Sequence, residues 1–360
     1  MPATIAHFIN LIETYHTLIN KNESIFHSRP VKNNELRKSE KTKLNGKKDS
    51  GISQYAYLGA VFPDLPYYNP DKTGFAADLF HYNMSSTFAI KLIDYAKGKG
   101  ENEAGKRLMA FILGFISHIA CDVVCHPYIN TIAGAYWSQP VPFIDEIDIP
   151  LLPIKEGKVH MHMMTEAHQD AWLAINYFGL DDLSSTGALK SWSDFIDDLS
   201  LGVLVSYRND DMEALYNDVC NCFKEVYGEN LDDDDLWTAS NRIFESLDGS
   251  YDRALFPFPD KPSMNLVNYR NRDHDYYDYL KRAFRLSKAL CKKAIEYYKA
   301  PDPATQEKKV LKEYLKDWNL DMGYHINVYT EPKNAEMESI HIRYEHSWCH
   351  NYGLYDLKED

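Results

Sequence analysis

The chain has 360 residues, with 53 acidic and 39 basic side chains, and a formal net charge of −14. Its length allows one large domain or two smaller ones. The acidic balance argues against a general binder of nucleic acid or anionic membranes, because counterion release requires a basic surface. It remains compatible with a locally positive site, since bound cations dominate the charge around them.

The first ten residues, MPATIAHFIN, lack the basic and apolar regions of a secretory leader. No run approaches about 18 consecutive apolar residues, so we expect no membrane span. The six cysteines would suggest disulfides only in a secretory context. We therefore expect a reduced, cytoplasmic protein.

A helical pattern of apolar residues opens the chain at 3–20. A polar segment at 28–50 then concentrates Lys and Arg in an otherwise acidic protein. Two interpretations of this segment stay open. It is either a solvated loop or a flap that attracts an anionic substrate.

The middle of the chain is dominated by helical periodicity. The apolar segment 52–68 is broken by Pro63 and Pro66, and Pro63 disfavours a helix at Phe62, so Asp64 is expected on a turn. Helical patterns follow at 83–98, 104–126, 160–178, 186–206, 209–227 and 233–247. These patterns predict a mainly α fold with one large helical domain over 1–255.

The remaining residues, 256–360, are predicted to form a helical extension packed on that domain. A proline-rich connector at 256–262 precedes helical patterns at 273–299 and 303–318. Residues 324–329 and 339–344 alternate with period two, which predicts a small β-hairpin. Such a hairpin would have to pack on the helical body to be stable.

Three potential metal ligands recur at four-residue steps within one apolar segment at 114–130: His118, Asp122 and His126. On a helix, this spacing puts side chains on neighbouring turns, with Cβ atoms about 5–6 Å apart. Burying three such polar groups is costly unless they are satisfied. The pattern therefore predicts a metal cluster.

Further ligand candidates lie on both sides of this segment. Asp64 occupies the Phe-Pro-Asp-Leu-Pro turn, and His81 follows in a Leu-Phe-His-Tyr sequence. His162 and Glu166 are four residues apart in another helical pattern. Histidine nitrogens and carboxylate oxygens are ligands that Zn²⁺ accepts.

The order and spacing of these residues, over roughly 1–180, resemble the zinc-dependent phospholipase C family. The superfamily of that family also contains single-strand-specific zinc nucleases. The resemblance implies an all-α fold around a trinuclear zinc site. The matching positions, in chain order, are His7, Asp64, His81, His118, Asp122, His126, His162 and Glu166.

The resemblance also implies how the ligands divide among the ions. One zinc would be held by Asp64, His81, His118 and Asp122, a second by His126, His162 and Glu166, and a third by His7 and a bridging Asp122. Clustered metals can polarise a phosphoryl oxygen, lower the pKa of a water and stabilise a leaving alkoxide. Asp64 would orient or deprotonate that water.

Three features depart from the better-known family members. Asp122 and His126 are four residues apart, whereas the best-known secreted members use six. Those members also bind the third zinc through the α-amine of an N-terminal Trp, and no Trp lies near the start of this sequence. The clostridial toxins add a β-sandwich for membrane docking, whereas the pattern here is mainly helical.

The function predicted from these residues is metal-dependent hydrolysis of phosphoric esters, acting on a small phosphoester or a phospholipid head group. Two alternatives stay open: a nuclease or nucleotide phosphohydrolase, and a non-catalytic protein that the metals stabilise. An HD-domain phosphohydrolase is disfavoured, because it needs an adjacent His-Asp pair. The only such pair, His274-Asp275, lies outside the apolar segments.

Overall fold

Ten α-helices make up most of the residues that the computed structural model describes, which are 4–22, 52–133, 161–178, 209–248, 275–320 and 324–325. The helices are α1 (Thr4–Asn22), α2 (Ile52–Val61), α3 (Pro70–Tyr82), α4 (Ser85–Lys99), α5 (Glu103–Ala133), α6 (Met161–Phe178), α7 (Asp210–Tyr227), α8 (Asp233–Asp248), α9 (Tyr276–Lys299) and α10 (Thr305–Tyr314). A 3₁₀ turn, Leu65–Tyr68, links α2 to α3. The predicted mainly α fold is confirmed.

The 31-residue helix α5 runs through the middle of the core. It packs against α1, α2, α4, α6 and α9, and its side chains from Leu108 to His126 are all buried. By length and composition, Glu103–His126 is apolar enough to cross a membrane, but its apolar window is entirely buried within the described structure. In this fold α5 is therefore the core helix, and it carries His118, Asp122 and His126.

Two glycines let α2 and α5 approach until their backbones touch. A Cβ atom at Gly114 would lie 2.0 Å from the carbonyl oxygen of Ala56, and one at Gly59 would lie 1.9 Å from that of Phe111. Any larger residue would force the helices apart. This close approach matters for the site, because it brings the carbonyl of Ala60 at the end of α2 to His118 on α5.

The C-terminal helices fold back onto this body. Helix α9 packs against α5, α1 and α4, and α10 packs against α9 and α4. Beyond α10, strand β1 (Trp318–Asn319) pairs antiparallel with β2 (Tyr324–His325), with Trp318 opposite His325. The division into domains at residue 255 stays a prediction.

The structure corrects the prediction for this end of the chain. The helix predicted at 303–318 ends at Tyr314, and Trp318 lies instead in a strand. The strand at Tyr324 pairs with 318–319. Its predicted partner, 339–344, lies outside the described residues.

Most predicted helices are confirmed to within a few residues, and two were missed, α2 and α3. The segment 52–68 was predicted only as an apolar segment broken by two prolines, but its first ten residues form α2. Helix α3 was not predicted, because Pro70 and Gly74 interrupt its pattern; yet Pro70 stands in the first turn, where its missing N–H costs no hydrogen bond. Asp64 lies on a turn, as predicted. The helix predicted at 186–206 and the basic segment 28–50 lie outside the described residues.

Candidate metal centre

Helix α5 presents His118, Asp122 and His126 along one buried face, as their spacing predicts. Oδ2 of Asp122 lies 2.9 Å from Nε2 of His118, and Oδ1 lies 3.9 Å from Nε2 of His126. All three side chains are less than a tenth exposed. Asp122 therefore stands between the two histidines and has one oxygen near each.

Asp64 and His81 approach Asp122 from the segment that connects α2 to α4. Asp64 follows α2 in the turn before Leu65, and His81 lies in the last turn of α3. Nε2 of His81 is 3.1 Å from Oδ1 of Asp64 and 3.6 Å from Oδ2 of Asp122. Oδ2 of Asp64 lies 3.8 Å from Nε2 of His118.

His7 completes this group from α1. Its Nε2 lies 3.2 Å from Oδ1 of Asp122, and its ring stacks on that of His118 with 3.9 Å between the centroids. We call the two aspartates and the three histidines around them the aspartate cluster: His7, Asp64, His81, His118 and Asp122. All five are buried.

A second group of ligands lies where α5 meets α6. Oε1 of Glu166 is 3.2 Å from Nε2 of His126 and 3.2 Å from Nε2 of His162. His162 and Glu166 are one turn apart on α6, as predicted. We call His126, His162 and Glu166 the glutamate cluster. Its link to the aspartate cluster is the approach of His126 to Asp122.

Three of the histidines are oriented by backbone carbonyls. Nδ1 of His81 lies 2.8 Å from the carbonyl of Ala77, and Nδ1 of His118 lies 2.8 Å from that of Ala60. Nδ1 of His126 lies 2.9 Å from the carbonyl of Leu320. Because a carbonyl only accepts hydrogen bonds, Nδ1 must carry the proton in each ring. This contact turns Nε2 toward the carboxylates, as in histidines that bind metals.

The three carboxylates retain their charge despite burial. Burial alone would raise the pKa of Asp64, Asp122 and Glu166, but the neighbouring imidazoles outweigh it and hold all three pKa values below their usual range. Burial and the nearby His118 lower the pKa of His7 to about 3, so this ring is neutral near pH 7. Buried carboxylates need compensating positive charge, which either protonated imidazoles or a metal can supply.

The pKa of His81 is raised, whereas that of His7 is lowered. Burial opposes protonation of His81, but the hydrogen bond with Asp64 and the charges of both aspartates raise its pKa. The two aspartates therefore favour a proton on Nε2 of His81, the same atom that faces them as a candidate metal ligand. A metal ligand must release such a proton, so metal binding competes with protonation at this position.

The donor atoms fit zinc. Three groups each bring their ligand atoms within 4.8 Å of one another: His7, Asp64 and His118; His81, His118 and Asp122; His126, His162 and Glu166. Within the described residues, Oδ2 of Asp64 and Oε2 of Glu166 are buried without a hydrogen-bond partner. Nitrogen and carboxylate oxygen are the donors of catalytic zinc sites. The structure thus brings together all eight residues predicted from the sequence.

Asp170 contributes to the site although it was not predicted. Its carboxylate accepts hydrogen bonds from the backbone amides of Ile5 at 3.0 Å and Ala6 at 3.1 Å. This contact ties α6 to the first turn of α1 and so fixes the position of His7. The sequence does carry a signal, since Asp170 continues the four-residue step of His162 and Glu166.

Comparison with known proteins supports the same assignment. Residues 42–211 match the family model described as zinc dependent phospholipase C. The match begins later and ends later than the predicted extent of 1–180. It includes seven of the eight site residues, and only His7 lies outside it. Neither the curated proteins nor the solved structures yielded a match. The predicted resemblance to the zinc-dependent phospholipase C family is therefore confirmed over residues 42–211.

Proposed function

We propose that this protein is a zinc-dependent hydrolase of phosphoric esters, in which Asp64 accepts a proton from the attacking water. The observation that carries the proposal is the convergence of buried Nε2 atoms on three carboxylates. With Nδ1 protonated, Nε2 of a neutral ring is an acceptor and faces the acceptor oxygens of a carboxylate. A cation between them removes this conflict, and the family match supports zinc as that cation.

The ligands would divide between the two clusters. The aspartate cluster offers Asp64, His81, His118 and Asp122 for one ion, with His7 and Asp122 available for another. The glutamate cluster offers His126, His162 and Glu166. When bound, zinc supplies charge that polarises the phosphoryl oxygen, acidifies water and stabilises the leaving oxygen.

Asp64 is suited to accept a proton because its two oxygens have different surroundings. Oδ1 lies 3.1 Å from Nε2 of His81, which fixes the carboxylate plane. Oδ2 is buried and has no hydrogen-bond partner in the described part of the chain. The carboxylate also sits on a turn between two helices, so its backbone is independent of the helix that carries Asp122. We propose that Oδ2 takes the proton of the attacking water.

The substrate proposed is a phosphodiester, either a soluble phosphoester or a phospholipid head group. The family match supports both kinds of substrate. The net charge of −14 disfavours adsorption to an anionic bilayer, which supports the soluble substrate. Parallel assays with bis(p-nitrophenyl) phosphate and with phosphatidylcholine vesicles separate the two cases.

The substitution Asp64→Asn tests the proposal. The amide keeps the shape of the side chain but cannot accept the water proton, so we expect kcat to fall by about 10²- to 10⁴-fold. Zinc in the glutamate cluster should be retained. Measurements of turnover and of zinc per chain by mass spectrometry check both effects.

Asp71→Asn is the matched control, because Asp71 is an exposed carboxylate in the first turn of α3. It should leave turnover unchanged. If the zinc-loaded wild type hydrolyses no phosphodiester, and Asp64→Asn changes only the thermal stability, the site is structural and the proposal is wrong.

A further inference from the structure

A short segment after α10 connects the two clusters through one residue. The backbone N–H of Leu320 donates to the carbonyl of His81 at 2.8 Å. The carbonyl of Leu320 in turn accepts from Nδ1 of His126 at 2.9 Å. Leu320 is fully buried, and it lies more than a hundred residues beyond the end of the family match at 211. We call residues 316–320 the C-terminal strap.

The strap is held onto the start of α4 by the side chain of Asp317. Its Oδ1 accepts from the backbone N–H of Thr87 at 2.8 Å, and its Oδ2 accepts from the Thr87 hydroxyl at 2.8 Å. The first amides of a helix have no partner within the helix, so this carboxylate satisfies one of them. The contact fixes the strap at a defined position on α4.

Two serines extend the attachment. The hydroxyl of Ser86 donates to the carbonyl of Lys316 at 2.5 Å, and that of Ser85 donates to the carbonyl of Trp318 at 3.3 Å. Trp318 is itself buried. Three consecutive residues of α4, 85–87, thus bind three consecutive residues of the strap, 316–318. The next two residues, 319 and 320, lead directly to His126.

We propose that the C-terminal strap is a positioning element of the metal centre and that Leu320 sets the orientation of His126. The carbonyl of Leu320 keeps the proton of His126 on Nδ1 and directs Nε2 toward Glu166. The aspartate cluster has its own carbonyls for this purpose, from Ala60 and Ala77. The metal affinity of the glutamate cluster therefore depends on the strap. This inference rests on the proposed metal sites.

Asp317→Ala in the full-length chain tests the inference, since it removes both bonds to Thr87 and lies outside the ligand set. Zinc affinity is measured by competition with a chromophoric chelator, and zinc content by mass spectrometry. Loss of an outer partner of a ligating histidine weakens metal binding by about 10- to 100-fold. We expect about a 10-fold loss at one binding step, with the remaining steps unchanged.

A double substitution identifies which step is affected. His126→Ala removes the ligand that the strap orients, so adding Asp317→Ala to it should weaken zinc binding no further. Asn209→Ala is the control: Asn209 caps α7 by accepting from the amides of Asp211 and Met212, and its loss should leave zinc affinity unchanged. Circular dichroism of the zinc-free proteins confirms that each variant is folded.

If Asp317→Ala does not fold, Thr87→Val is the variant to measure. It removes only the hydrogen bond of the Thr87 hydroxyl, so zinc binding should weaken by a few-fold. The inference is overturned if the variant binds zinc as the wild type does, or if the loss is equally large in the His126→Ala background. A wild type that binds no zinc at all would overturn the proposed function as well, so the two failures are distinguishable.

Discussion

The aspartate and glutamate clusters use the same kinds of donor atom but differ in composition. The aspartate cluster has two carboxylates and three imidazoles, supplied by α1, α3, α5 and the turn after α2. The glutamate cluster has one carboxylate, whose Oε1 lies 3.2 Å from both of its imidazoles. Only the aspartate cluster contains a carboxylate that is held outside a helix, at Asp64. Under the proposed function both clusters would bind metal, and the proton transfer would belong to the aspartate cluster.

The clusters also differ in what orients their histidines. His81 and His118 contact carbonyls of Ala77 and Ala60, which lie within the family-matched residues. His126 contacts the carbonyl of Leu320, which lies far beyond them. The aspartate cluster is therefore assembled from neighbouring helices, while the glutamate cluster also needs the C-terminal strap.

Apart from Asp64→Asn, the substitution with the largest expected effect is Asp122→Asn. Asp122 approaches His7, His81 and His118 within the aspartate cluster. It also approaches His126 of the glutamate cluster. Because even outer partners of metal ligands are worth about 10- to 100-fold in affinity or activity, loss of this carboxylate should lower activity by more than about 100-fold. Turnover and zinc per chain measure the effect. Retention of all bound zinc together with full activity would contradict the role of Asp122.

A smaller effect is expected from Glu166→Gln. This substitution removes the only carboxylate of the glutamate cluster, so zinc should be lost there while the aspartate cluster keeps its own. Turnover should fall by less than in Asp122→Asn, because Asp64 and its partners remain in place. Turnover and zinc per chain, measured for both variants under the same conditions, show which substitution has the larger effect. A larger fall in turnover for Glu166→Gln than for Asp122→Asn would show that catalysis depends more on the glutamate cluster than on the aspartate cluster.

The smallest effect, and the most selective, is that of Asp170→Ala. The two amides at the start of α1 would lose their acceptor, which should cost about 0.5–2 kcal/mol in the free energy of unfolding. Urea denaturation of the zinc-free protein measures this loss. Although Asp170 is one turn from Glu166, zinc in the glutamate cluster should be retained, since Asp170 acts on α1. Equal loss of zinc from both clusters would show that Asp170 supports α6 instead.

The sequence predicts those parts of the site that depend on helical periodicity. His118, Asp122 and His126 share a face because they are four residues apart, and so do His162 and Glu166. His7, by contrast, has no periodic partner, and only the family resemblance pointed to it. Long-range proximity between α1 and α5 is a property of packing, which no local pattern contains.

Other parts of the structure could not be predicted for identifiable reasons. Helix α3 contains Pro70 and Gly74, which weaken a helical pattern even where the first turn tolerates proline. The contact of Leu320 with His126 involves a backbone carbonyl, and every residue has one, so the sequence carries no sign of it. Asp170 is an exception: it lies four residues after Glu166 and could have been recognised as the third position of the pattern that begins at His162.

Anomalous X-ray scattering at the zinc edge tests most directly whether the two clusters bind zinc side by side. Crystals of zinc-loaded protein should show two or three peaks, one in each cluster at least, within about 6 Å of Asp122, as is typical of polynuclear sites. If no peak lies near His118, the aspartate cluster does not bind zinc and the proposed function is wrong.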